Sequence, residues 1–213
     1  MKIVKISQST PDPLMVYEVV RLLKTGSVIA YPTDTFYGLG ADIYNNEAIE
    51  RIYSIKSRRS DKPIIILISD KKMLRPLIAN GQMSHIAERL TDTFWPGPLT
   101  LVFNASDAVP DELTANTGKI GIRLPDNELC RLLIEELKHP ITATSANISG
   151  EGRIDNPADV AKSLGGMIDV LVDGGKTKGG GASTVVDLTN VEPVVIREGI
   201  IAKSDILGVF KST

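Results

Sequence analysis

The sequence predicts an α/β fold: one domain over residues 1–213, with a twisted, mostly open mixed sheet flanked by helices. Three observations predict it. Apolar residues recur at helical spacing in some segments and in short β-branched runs in others, and the two kinds alternate. The 213 residues are 42% hydrophobic and 23% charged, an ordinary globular balance that can bury a continuous core. No stretch reads as a linker, an internal repeat or a low-complexity tail.

The elements follow in order. Asp12 is placed to cap a helix that Pro13 opens, with Leu14, Met15, Val19, Leu22 and Leu23 as its apolar stripe. Lys24 lies in its last turn and Gly26 ends it. Residues 28–31 read as a short buried strand that stops at Tyr31-Pro32. A polar loop, Thr33-Asp34-Thr35, follows and closes in Gly38-Leu39-Gly40. Asn45 or Asn46 caps a second helix, striped by Ala48, Ile49, Ile52, Tyr53 and Ile55, which delivers Lys56, Arg58, Arg59 and Lys62. Residues 63–68 are the clearest strand, continuous and covered on both faces.

Residues 71–78 and 84–94 read as helical, and Trp95-Pro96-Gly97-Pro98 breaks the second stretch. Strands are expected at 99–103 and 119–124, and a helix at 128–137. A strand at 141–144 runs into Ser145-Ala146-Asn147. After it come a helix at 157–164, a strand at 170–172 and a Gly-rich loop at 174–181. Residues 183–188 and 194–197 form a final pair of strands.

Composition excludes several function classes. A net charge of −2 rules out a bulk polycation, so any nucleic-acid contact needs a local patch. Cys130 is the only cysteine, and His85 and His139 are the only histidines, which argues against a Cys/His zinc site and an internal disulfide. The longest apolar run is 64–68, and MKIVKISQ lacks a signal-peptide core, so the expected compartment is the cytoplasm.

The remaining residues suit an anion. Hydroxyls and free N–H groups at the strand end near Thr33–Thr35, with four cations close behind, fit a polyphosphate. On spacing alone, Lys56-x-Arg58 reads more readily as a solvated helix end. Ser145-Ala146-Asn147 lies past a strand, where α/β sheets collect ligands, but is also ordinary turn chemistry. Gly174-Gly175-Lys176-Thr177 is no Walker motif, since Val170 stands where the first glycine is required. No triad, carboxylate pair or metal cage emerges; positioning and charge neutralisation on a nucleotide would need none.

Taken together, the ordered motifs resemble a known family. Tyr31-Pro32-Thr33-Asp34-Thr35-x-Tyr37-Gly38-Leu39-Gly40, Lys56-x-Arg58, Gly121-Ile122-Arg123-Leu124-Pro125, Thr144-Ser145-Ala146-Asn147-x-Ser149-Gly150, Ser183-Thr184-Val185-Val186-Asp187 and Arg197-Glu198-Gly199 are similar to the YrdC family, the threonylcarbamoyl-AMP synthases. The resemblance implies a deep basic groove. It also implies a reaction in which L-threonine, bicarbonate and ATP give threonylcarbamoyl-AMP and pyrophosphate, with Mg²⁺ arriving on the ATP. The product would pass to machinery that modifies tRNA.

Carried over by position, the resemblance places Thr35, Arg123, Ala143 and Ser183 at threonine. Leu67 stands there too, where many relatives have a His, and this leaves the amino acid open. Arg58, Lys62, Ser145, Asn147, Arg153 and Arg197 would face ATP. So would Lys119, which replaces a Thr of many relatives. Lys56 and Arg58 would neutralise the phosphate chain. A single-domain form is expected, as is retention of the motifs that YciO-like relatives, the alternative nucleotide- or RNA-binding reading, lack.

Overall fold

The computed structural model describes residues 1–57, 62–148 and 150–211. The chain starts with β1 (Lys2–Lys5), α1 (Pro13–Lys24), β2 (Ile29–Pro32), β3 (Tyr37–Gly40), α2 (Asn46–Ile55) and β4 (Ile66–Leu67). It continues through α3 (His85–Phe94), β5 (Leu99–Asn104), α4 (Asp111–Thr114), β6 (Lys119–Arg123), α5 (Glu128–Leu137), β7 (Ile141–Thr142) and β8 (Thr144–Ser145). It closes with α6 (Pro157–Leu164), β9 (Val170–Asp173), β10 (Thr184–Asp187), β11 (Val194–Arg197) and α7 (Lys203–Lys211).

Helix starts are fixed locally. Asp12, Asn45, Ser84, Asn127 and Asn156 each accept a backbone N–H from the first turn of the helix that follows. Such a cap is worth about 1 kcal/mol. In α1 the buried stripe is Val16, Val19, Val20 and Leu23, whereas Leu14 is 73% exposed. The expected stripe therefore included a residue on the wrong face: at 3.6 residues per turn, position 14 lies opposite 16 and 23.

The strands form two sheets, not one. The first has the order β1-β9-β2-β3-β8 and the second β11-β10-β5-β6-β4-β7, both with parallel and antiparallel pairs. They adjoin where the chain changes sheet at Ala143: the Thr142 N–H donates to Ala41 (3.0 Å) and the Ala143 N–H to Ile65 (2.6 Å). The expected strand at 63–68 shrinks to β4. Its burial is as expected, but Ile64 gives its N–H to Leu113 of α4, and Ile68 gives its N–H to Arg123, where β6 ends. Of the helical stretch at 71–78, only a 3₁₀ turn at Lys71–Leu74 forms. β1, β3, α4 and α7 were not foreseen.

Alternation sorts side chains into two cores. On β9, Val170 and Val172 face α1 and α5, while Leu171 faces the space between the sheets; Ile29 and Tyr31 against Ala30 repeat the pattern on β2. Gly40 is required: a Cβ there would sit 2.7 Å from the ring of buried Tyr31, whose hydroxyl donates to Thr142 (2.9 Å). That bond ties β2 to the junction between the sheets, and the site lies beside this junction.

Candidate functional site

The β2–β3 hairpin loop is the rigid wall of the site. Thr33 Oγ1 donates to the Phe36 carbonyl (2.8 Å) and accepts from the Thr35 N–H (3.1 Å), with Thr35 Oγ1 at 3.0 Å. Behind it, the Gly-rich segment is a strap rather than a flap. Thr177 Oγ1 and the Gly179 N–H both donate to the Thr35 carbonyl, at 2.8 and 2.9 Å. Tyr37 donates to Gly175 (2.7 Å), and burial pushes its phenol well above the ordinary range, so it stays neutral.

Arg123, at the end of β6, is buried against this wall. Its Nε donates to Gly97 (3.0 Å), one Nη to Thr35 Oγ1 (3.3 Å), and the other pairs with Asp34. Arg197, ending β11, makes a different set of bonds: Nε and Nη2 donate to the Ser183 carbonyl (3.1 and 2.9 Å) and Nη2 to Ser183 Oγ (2.9 Å). Among the described residues no carboxylate pairs with it. Burial, then the nearby charges of Arg153 and Arg123, hold its guanidinium below the usual value. Arg153 lies over the Phe36 ring, 5.9 Å from the centroid, within cation–π range.

These groups line a cavity of about 210 Å³, together with Thr35, Leu67, Ala143, Ser145 and Ser183. A second, more open basin of about 550 Å³ is lined by Lys56, Lys62, Ser145, Asn147 and Arg153. The two share Thr144, Ser145 and Arg153, so one leads into the other. Residues spread from 35 to 197 therefore meet in one bipartite groove. Arg58 and Arg59 lie outside the described residues. Lys119 lines neither cavity; its ammonium is 3.1 Å from Asp187. Lys119 starts β6 opposite Asn104 of β5, and Asp187 of β10 lies opposite Val102 of the same strand.

Sequence reading missed Thr100, whose buried hydroxyl is 2.9 Å from Ser183 Oγ, and the wall formed by Phe36, Pro63 and Ile65. A threonine fully buried in the apolar strand Leu99-Thr100-Leu101 was the available signal. It also missed the Asp34–Arg123 pair. Among the described residues, no group of three or more His, Cys, Asp or Glu is arranged to hold a metal.

The Sua5/YciO/YrdC family profile, described as "Telomere recombination", matches residues 21–199. The chain belongs to the Sua5/YciO/YrdC family. Its Sua5/YciO/YrdC relatives include the threonylcarbamoyl-AMP synthase of Pyrococcus abyssi, 41% identical over 177 residues that make up 83% of this chain and 52% of that one. The Bacillus subtilis synthase is 41% identical over 199 residues, 93% of this chain and 57% of that one. The chain thus spans about half the length of these curated relatives. Among solved structures, P. abyssi Sua5 complexed with L-threonine superposes with a TM-score of 0.94 at 36% identity, covering 99% of this chain and 61% of that one. E. coli YciO superposes at 0.88 with 29% identity, covering 97% and 99%.

Proposed function

We propose that this chain is an L-threonylcarbamoyladenylate synthase, a nucleotidyltransferase acting on L-threonine, bicarbonate and ATP. The observation that carries the reading is the convergence of Arg123, Arg153 and Arg197 on one cavity whose lining, among the described residues, includes no carboxylate; Asp34 pairs with Arg123 from outside that lining. The hydroxyls of Thr35, Ser145 and Ser183 line the same cavity, and the basin with Lys56 and Lys62 continues it. This is a basic groove with a narrow end for an amino acid and a wide end for a triphosphate. The names of the synthase relatives and the L-threonine complex of P. abyssi Sua5 support it.

The chemistry suits the groups present. Threonine's amine and bicarbonate give a carbamate with loss of water. One carbamate oxygen attacks the α-phosphorus, and pyrophosphate departs. Negative charge grows on the phosphate chain, and fixed cations stabilise it without reorganising. Thr35 and Ser183 hold the amino acid with Arg123, whose guanidinium keeps two N–H groups beyond those used by Gly97, Thr35 and Asp34. Leu67 and Ala143 form the apolar wall of that end.

Lys62, Ser145, Arg153 and Arg197 surround the phosphates and nucleotide, with Arg58 as a catalytic charge and Lys56 and Asn147 in the wall behind Ser145. Mg²⁺ enters as MgATP, keeping waters of its own. The product goes on to tRNA through a downstream transferase, in the cytoplasm. Among the described residues, no helix is long and apolar enough to cross a membrane.

The test is pyrophosphate release from purified protein with ATP, Mg²⁺ and bicarbonate. It should depend on added threonine; release that ignores threonine, or none at any pH, ends the proposal. A second reading, a YciO-like nucleotide- or RNA-binding protein without this activity, is favoured by the superposition on E. coli YciO at a TM-score of 0.88. It requires salt-steep RNA binding with no turnover. An amino-acid panel in the same assay tests what Leu67 selects.

A further inference from the structure

Lys56 does not reach into the basin as an extended side chain. It is the C-cap of α2 and only 3% exposed. Its ammonium sits inside a ring of oxygens: the carbonyls of Ser145 (2.6 Å) and Asn147 (2.7 Å), Asn147 Oδ1 (2.8 Å) and, more distantly, Ser145 Oγ (3.2 Å). An ammonium has three N–H donors and accepts nothing, so the three short contacts match its full donor set.

That ring fixes what lies beyond it. With Oδ1 turned to Lys56, the Asn147 carboxamide must aim Nδ2 outward, and it donates to the Glu151 carbonyl (2.7 Å). This bond closes the turn two residues before Arg153. Asn147 is itself 4% exposed. The Asn147 N–H also donates to Ser145 O (2.9 Å), and the Ala146 N–H to Tyr37 O (2.8 Å). Ser145 Oγ, 3.2 Å from the cationic nitrogen, turns a lone pair towards it, so its own O–H remains to donate towards a ligand in the groove.

We infer that Lys56 is a positioning residue: a built-in cation that organises the Ser145–Asn147 turn, so that Ser145 and Arg153 meet the ligand while Lys56 and Asn147 hold them in place. The inference deepens the synthase reading, on which it rests. It explains why Lys-x-Arg and Ser-x-Asn occur together, since the first residue of one motif is bonded to both named residues of the other. It also makes shape, as well as charge, the property that a substitution at 56 destroys.

The experiment compares Lys56→Met, Lys56→Arg and Lys56→Ala by amide hydrogen exchange of peptides spanning 144–152 and by KM for ATP and for threonine. Lys56→Met should speed exchange in that segment about tenfold, with the rest of the molecule unchanged. Its KM for ATP should rise about tenfold while that for threonine moves little. Lys56→Arg keeps the charge, but a planar fork cannot fill the ring, so its KM for ATP should rise as much as that of Lys56→Met. In Lys56→Ala, methylammonium should slow the exchange again, and tetramethylammonium, which has no N–H, should not.

Unchanged exchange in Lys56→Met, or a normal KM for ATP in Lys56→Arg, overturns the inference in favour of a plain point charge. If the unaltered protein releases no pyrophosphate, the synthase reading fails alone. The exchange arm then decides the cage by itself.

Discussion

Two arginines open on the same cavity and are built in opposite ways. Arg123 is buried and paired with Asp34, itself buried, so its charge is neutralised within the fold. Among the described residues Arg197 bonds only to the neutral oxygens of Ser183; burial, then the guanidiniums of Arg153 and Arg123, depress its pKa. The first is scaffold. The second stores repulsion that only an incoming anion relieves. The difference assigns the cavity's unneutralised positive charge to Arg197 and Arg153 rather than to Arg123.

The comparison breaks most sharply on stability. Arg123→Ala leaves Asp34 buried without its cation and should cost about 3–5 kcal/mol in denaturant unfolding. Adding Asp34→Asn should recover a large part of this, because the stranded charge is gone. A single variant within about 1 kcal/mol of the parent would show that Asp34 finds other partners and that the two arginines are alike. Arg197→Met should do the reverse: stability within about 1 kcal/mol, and threonine-dependent pyrophosphate release down by about a hundredfold. If it unfolds the protein instead, Arg197 is scaffold as well.

A smaller effect sharpens the same contrast. Thr100→Val keeps the shape but removes the hydroxyl beside Ser183 Oγ, and should cost about 1 kcal/mol. It frees the Ser183 hydroxyl to rotate, so the KM for threonine should rise several-fold while that for ATP holds. Equal rises in both would mean that Ser183 serves the whole groove rather than its narrow end.

How far the sequence reveals this depends on the range of the interaction. The starts of α1 and α2 were legible because Asp12 and Asn45 cap the turns that directly follow them; α5 and α6 were placed without noticing that Asn127 and Asn156 do the same. Strand partners were not. β4 is short because its neighbours bond to Leu113 and Arg123, and nothing within residues 63–68 encodes that. The second sheet has the same origin: Ala143 looks like one more strand residue until Ile65 and Ala41 claim the backbone on either side of it. The groove's membership came from ordered motifs, since spacing alone left Lys56-x-Arg58 a helix end. Its internal wiring was illegible: Asp34 to Arg123, Thr100 to Ser183 and Lys56 to Asn147 are 89, 83 and 91 residues apart.

The Arg51–Asp169 pair supplies the outer reference for the two cavity arginines. It lies at the surface, bidentate at 2.8 and 3.0 Å, and Asp169 also accepts the Val28 N–H (2.7 Å). Burial pushes the Asp169 carboxyl up, but the Arg51 and Val28 hydrogen bonds and the Arg51 charge outweigh it and leave the group below its ordinary value. A depressed folded pKa means stability that is present above the unfolded value, about 3.9, and lost as pH falls through the folded one. Asp169→Asn should therefore destabilise at pH 7, by less than about 1 kcal/mol because both side chains are more than a third exposed. The gap should close as pH falls below the unfolded value and through the depressed folded one, and shrink in high salt at neutral pH. Unfolding curves of the two proteins across pH measure it. A gap that persists in acid would assign the stability to the Val28 cap, which asparagine can still provide only in part, rather than to charge.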